Sequence, residues 1–329
     1  MVSAIGRFGF VVAFLVEGCI MRHMNSPTYV VLDVHGGMGK HIAATAVVAN
    51  LKAAYPESKL IVVCAYPPVF WNHPDVFRVY GYPELRYFYN DYLKGKDFLF
   101  HKHEPYHHTD YIKKTRHLID VWTEQCQVPL KFAAPKIYLN HRELQYCQNK
   151  YVNASPKPIL LLQASGGMNL PFPYSWVRDI PIPLTQKLID NLSGKFNILH
   201  IHNKNQPSYQ NTTSVTLENL RELIGLVKVA NRRLLIDSFA QHATAALGEK
   251  AVVLWPINNV KILGYETNQN ILSNRLGDDE YQSPFSYIED HNLAGNLHEC
   301  PFDSDGIFNL TEIVEALTAP DPRAMGCAQ

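Results

Sequence analysis

The first sustained apolar run that ends in a clear turn is Tyr29-Val30-Val31-Leu32-Asp33-Val34. It is apolar at consecutive rather than alternate positions, as a strand covered on both faces is. A glycine turn follows, then an alanine-rich segment predicted helical from His41 to Ala54, then Pro56 and a second apolar run from Leu60 to Cys64. Strand, helix and strand in that order predict a parallel sheet. From Pro67 to His108 the pattern loses its period, and Tyr, Phe, His and Pro crowd together. That composition predicts an irregular, cleft-lining insertion. A helix carrying Leu118, Val121 and Trp122 comes next, and a polar stretch from Glu143 to Asn153 leads to Pro156-Lys157-Pro158. Each proline disfavours helix before it and stiffens the segment, which marks an interlobe linker.

Beyond the prolines the alternation restarts. Strands are predicted at Ile159 to Gln163, Phe196 to Ile201, Arg233 to Ile236 and Ala251 to Trp255, with helices at Pro183 to Leu192, Leu217 to Val227 and Gln241 to Leu247. An amphipathic helix from Asn309 to Leu317 closes the pattern before Ala319-Pro320-Asp321-Pro322. With 329 residues, 47% of them hydrophobic, the chain is long enough for two cores of this kind. The expected organisation is a poorly ordered extension at 1–25, a first lobe at 26–155, a second at 156–305, the closing helix at 306–318 and a disordered tail at 319–329. An α/β chain with two Rossmann-like, doubly wound lobes is expected.

Lys plus Arg and Asp plus Glu number 30 each, so no global field draws the chain to nucleic acid or to an anionic membrane, although a local basic groove stays open. The apolar stretch Phe8 to Met21 carries Glu17 and falls short of the roughly 20 residues a spanning helix needs, so no stable membrane insertion is expected. Six scattered cysteines without close pairs read as free thiols in a reducing cytoplasm.

Two constellations carry candidate chemistry. In His35-Gly36-Gly37-Met38-Gly39-Lys40-His41 the glycines let the backbone turn between strand and helix, where the free N–H groups of a helix start can receive an anion. In the second, a strand ends in Asp237-Ser238 and leads through Gln241 and His242 into a helix capped by Gly248. There Ser238, Gln241 and the helix start can donate to a diphosphate, and His242 adds a donor that can become cationic. The histidines His101, His103, His107 and His108 lack a second cluster at fixed spacing. They are expected to line an acceptor loop and to hold no metal.

At these residues the sequence resembles the heptosyltransferase-like glycosyltransferases, family 9 of the GT-B enzymes. Gly36-Gly37-Met38-Gly39 runs into Ala44-Thr45-Ala46, Asn72-His73-Pro74-Asp75-Val76 follows, and Asp237-Ser238 precedes His242 and Ala245-Ala246-Leu247-Gly248. The resemblance implies direct, inverting transfer of a sugar from a nucleotide diphosphate sugar, a co-substrate rather than a cofactor, with no metal and no other cofactor. It implies that the two lobes face a central cleft, and it places the donor against Ser165, Gly166, Arg178, Asp237, Ser238, Gln241 and His242 of the second lobe. The acceptor, a lipopolysaccharide-type glycan, belongs to the first lobe, with Gly36 to Lys40 as acceptor or phosphate loop. Where the family has an aspartate after the glycines, a candidate general base, this chain has Lys40, expected to meet phosphate or an anionic acceptor. The base is then sought among Asp33, His35, His41 and the cluster Glu104, His107, His108 and Asp110.

Two other readings stay open. A phage-type enzyme that glycosylates a hydroxymethylated DNA base would suit Lys94, Lys96, Lys102, Lys113, Lys114 and Arg116, interleaved with Tyr and His. A non-catalytic nucleotide-sugar-binding protein would suit the missing aspartate.

Overall fold

The computed structural model describes residues 26–166, 178–216, 219–274 and 306–320. The predicted extension at 1–25, residue 167 of the donor loop and the segment up to 177, the part of the second lobe from 275 to 305, and the tail from 321 lie outside them.

The first sheet is parallel throughout, in the order β3-β2-β1-β4, with β1 at Tyr29–Val34, β2 at Lys59–Cys64, β3 at Arg78–Gly81 and β4 at Phe98–His101. Helix α1 (Met38–Ala54) joins β1 to β2, beginning three residues before the prediction. Strands β3 and β4 correct the reading of 67–108 as irregular. Both are four-residue edge strands, and their aromatic and charged side chains are mostly half-buried or exposed, so they show neither a closed apolar run nor a clean alternation. Helices α2 (Leu118–Gln125) and α3 (His141–Cys147) follow. Asn140 and Glu143 start α3 with a reciprocal capping box.

The second sheet runs β10-β9-β8-β5-β6-β7, also parallel. Its strands are β5 (Ile159–Leu162), β6 (Asn197–Ile201), β7 (Thr213–Val215), β8 (Arg232–Ile236), β9 (Val252–Trp255) and β10 (Gln269–Leu272). Its longer helices are α4 (Ile182–Leu192), α5 (Leu220–Val229), α6 (Phe239–Ala246) and α7 (Leu310–Thr318). Strands β7 and β10, unforeseen in the sequence, are short outer strands that carry polar residues. In both sheets the chain winds outward from its first strand on one side and then returns to the other. The reversal falls between β1 and β4 in one lobe and between β5 and β8 in the other, and ligands of such sheets bind at the carboxyl ends of the strands there.

One apolar core crosses both lobes, because Ile42, Ala43 and Val47 of α1 share it with Phe239, Ala240 and Ala243 of α6. A second core belongs to the second lobe alone. It takes in Ile313 and Leu317 of α7 beside Leu184 and Leu188 of α4, so the closing helix packs there and does not cross between lobes. Arg221 of α5 ties the halves together elsewhere. It grips Glu143 with two nitrogens at 2.6 and 2.7 Å and donates to the carbonyls of Pro68 at 3.0 Å and Tyr138 at 2.7 Å.

Gly39 sits where α1 meets α6, and a Cβ there would stand 2.7 Å from Cδ2 of His242. Alanine normally stabilises a helix interior by about 0.8–1.0 kcal/mol over glycine. At Gly39 overpacking of about 1–3 kcal/mol reverses that sign. Gly39→Ala is therefore expected to lower the thermal midpoint. An unchanged or raised midpoint would mean that the two helices do not meet there.

Candidate functional site

On the second lobe, the loops after β5 and β8 converge at the reversal point. Gln163 donates from Nε2 to the Ser238 hydroxyl at 3.0 Å. The Gly166 N–H donates to Asp179 Oδ1 at 3.0 Å, and its carbonyl accepts from Arg178 Nη2 at 3.0 Å. A Cβ on Gly166 would lie 3.3 Å from both Arg178 Nε and Ser238 Oγ, so glycine lets these groups close on one spot. Ser165 is buried and its hydroxyl has no partner among the described residues, an orphan of the kind a ligand satisfies. Burial raises the Asp237 carboxyl above its ordinary range, opposed by a 2.6 Å bond from Asn258 Nδ2 and by the charge of Arg178. Asn258 was not foreseen. Its position three residues beyond the end of β9, itself beside β8, is the signal that could have found it.

Ser165, Gly166, Arg178, Asp237 and Ser238 are thus gathered, with the Gln241 side chain bonded to Asp237, while His242 turns away from them. Among the described residues no side chain caps the first turn of α6, which leaves it available to an anion. The Gln241 amide also donates to the Leu263 carbonyl at 2.9 Å and is fully buried. His242 faces Gly39, bonds through Nδ1 to the Tyr265 hydroxyl at 2.8 Å, and burial pushes it down to about 3. The expectation of an accessible, cationic His242 is corrected: α6 is wedged between its own sheet and α1, and the imidazole forms a neutral part of the seam.

On the first lobe, Gly36 adopts φ +94°, a left-handed conformation that favours glycine, and Gly36 and Gly37 are exposed ahead of α1. Met38 packs against the shared core. Lys40, expected to meet phosphate, is instead turned to Glu104. Its Nζ lies 2.7 Å from both carboxylate oxygens and over the rings of Tyr106 and Trp122, with the side chain 1% exposed. Glu104 itself, at the loop after β4, remains 31% exposed. Burial holds the Tyr111 hydroxyl well above its ordinary range, with Tyr106, Asp237 and Glu104 adding to the shift.

The other candidate bases separate. His41 is withdrawn, because its Nδ1 donates to the Gly37 carbonyl at 2.9 Å, its Nε2 accepts the Ala65 N–H at 3.1 Å, and it is wholly buried. Burial also lowers it to about 4. Asp110 is tied at 3.1 Å to Arg116, which also binds Asp120 and Glu124. Asp33 accepts from the Tyr82 hydroxyl at 2.7 Å and lies 3.1 Å from His35 Nε2 and 3.4 Å from Lys102 Nζ. His35 is stacked on Tyr82 and half exposed. This dyad is assembled and accessible only through His35.

Among the described residues no helix is long and apolar enough to cross a membrane. No family model and no curated protein matches the sequence. Solved structures do match. The glycosyl transferase family 9 protein from Veillonella parvula superposes with a TM-score of 0.63 at 14% identity, over 89% of this chain and 97% of that one. The ADP-heptose lps heptosyltransferase II of E. coli gives 0.57 at 11% identity, over 82% and 98%. The likeness is one of fold, and it establishes the two-lobed GT-B architecture for this chain.

Proposed function

We propose that this protein is a glycosyltransferase that moves a sugar from a nucleoside diphosphate sugar to a hydroxyl of a glycan. The observation that carries the reading is the contact of Gly39 with His242. It brings the starts of α1 and α6 together, and these helices follow directly on the carboxyl ends of β1 and β8, one strand from each sheet. The diphosphate is assigned to Arg178, the Ser165 and Ser238 hydroxyls and the uncapped first turn of α6. These groups stabilise negative charge as the leaving group departs.

The acceptor oxygen forms a bond to the anomeric carbon from the face opposite the diphosphate. The carbon–oxygen bond to phosphate breaks with its electron pair going to the nucleoside diphosphate, and the configuration inverts. The acceptor proton passes to Glu104, with no metal on the diphosphate. Lys40 stands where the resembled family carries its aspartate, and its ammonium draws a carboxylate from another part of the lobe to the same place. Of the basic residues that would suit DNA, Arg116 is held by Asp110, Asp120 and Glu124, and Lys102 faces Asp33. That stripe is partly neutralised, which favours the glycan; the named relatives include a lipopolysaccharide enzyme that uses ADP-heptose.

A thermal-shift comparison of ADP, UDP and GDP tests the donor site. A ligand present at a hundred times its Kd adds about 2.7 kcal/mol to stability. One of the three is expected to raise the midpoint, and Arg178→Ala to abolish the rise. A flat response to all three in the intact protein would sink the donor assignment. Release of nucleoside diphosphate from a bound donor sugar separates an enzyme from a binder that only protects it.

A further inference from the structure

We propose that the first lobe holds a zinc ion between His101, His103 and Cys126. The ligand atoms of these three side chains lie within 4.8 Å of one another, and among the described residues no protein group bonds to any of them. His101 ends β4 and His103 lies two residues on, in the same loop, while Lys102 between them turns to Asp33 on the other side. Cys126 comes from a different element, the C-terminal end of α2. That explains why the histidines, read along the chain, lacked the second cluster that metal spacing requires. The site is assembled across sequence, not within it.

Two features point to a cation rather than to a chance meeting. Nε2 of His101 is completely buried without a hydrogen-bond partner, and such orphans are rare unless an unseen ion or water satisfies them. Two imidazoles and one thiolate are a soft, nitrogen–sulfur set suited to zinc, with the fourth tetrahedral position left to solvent. Binding would displace the thiol proton of Cys126 to bulk water, and no electron transfer is involved. A second group that could hold a metal, His108, Asp110 and Glu124, already contains the guanidinium of Arg116 and is filled by it.

The ion would pin the loop that carries Glu104 to the end of α2. This assignment does not depend on the glycosyl-transfer reading, because its test reads metal rather than sugar. The full-length protein, loaded with zinc and desalted, is expected to retain about one zinc per chain by elemental analysis. Loaded with cobalt(II) instead, it should show a thiolate-to-cobalt charge-transfer band and intense tetrahedral visible bands. Cys126→Ser should lose the charge-transfer band, His103→Ala should lose most of the retained metal, and His108→Ala should change neither. Circular dichroism of each variant separates loss of ligand from loss of fold. Retention near zero in the folded intact protein, or equal retention and an unchanged band in Cys126→Ser, would overturn the site.

Discussion

Glu104→Gln is expected to slow sugar transfer by about 10²–10⁴-fold, the usual contribution of a positioned general base. The substitution keeps the shape of the side chain and one oxygen to accept from Lys40, so the ammonium is not stranded. The rings of Tyr106 and Trp122, 5.0 and 5.3 Å from Nζ, continue to offer it their faces. The thermal shift given by the preferred nucleoside diphosphate should survive, because Glu104 lies on the first lobe and the diphosphate groups on the second. Glu104→Ala is the harsher change: it leaves a buried cation without its carboxylate, a loss of about 3–5 kcal/mol for a buried pair. A Glu104→Gln variant that kept more than a tenth of the parent rate would remove Glu104 from the chemistry. His35, held by Asp33, would then be the base to test by His35→Ala.

Acidification should unfold the protein well above the pH at which carboxylates alone would do so. His41 and His117 are lowered to about 4 and His200 and His242 to about 3, in each case chiefly by burial, against 6.5 in an unfolded chain. Their contribution to stability is fully present above pH 6.5. Below it the unfolded chain binds protons that the folded chain refuses, and stability falls until the pH reaches the folded values. One pKa unit corresponds to about 1.4 kcal/mol, so four such groups remove roughly 5 kcal/mol per pH unit. Domains of ordinary stability hold about 5–15 kcal/mol. Circular dichroism and tryptophan fluorescence followed against pH should therefore show a cooperative loss of structure between about pH 4 and 5.5. His200→Gln should move that transition to lower pH, since His200 is fully buried with neither ring nitrogen partnered. Intact signals at pH 4 would show that these imidazoles take up protons while folded.

The sequence disclosed the parts of the fold that are buried on both faces. The apolar runs of β1, β2, β5, β8 and β9 are continuous because helices cover both sides, and their positions were legible to within a residue or two. The outer strands β3, β4, β7 and β10 were not, since half of each faces solvent and their pairing partners lie far along the chain. The site divides in the same way. Ser165, Gly166, Asp237 and Ser238 could be read because strand ends place them without reference to side-chain direction. The directions of Gln241, His242 and Lys40 could not, because each is decided by a neighbour from elsewhere: Leu263, Gly39 and Glu104. Glu104 stood among several acidic and histidine residues with nothing in its own neighbourhood to single it out. Its mark is the buried ammonium sixty-four positions away in the chain.

The apolar seam between α1 and α6 bears on how such a chain can be recombined. Exchanging halves at the Pro156–Pro158 bend would bring in a foreign partner for Ile42, Ala43 and Val47, and would exchange His242 for whatever residue the incoming half sets against Gly39. A hybrid built to change donor preference should therefore take its boundary from the surface of that seam, carrying the matching face of α1 along with the imported half, or else rebuild both sides together.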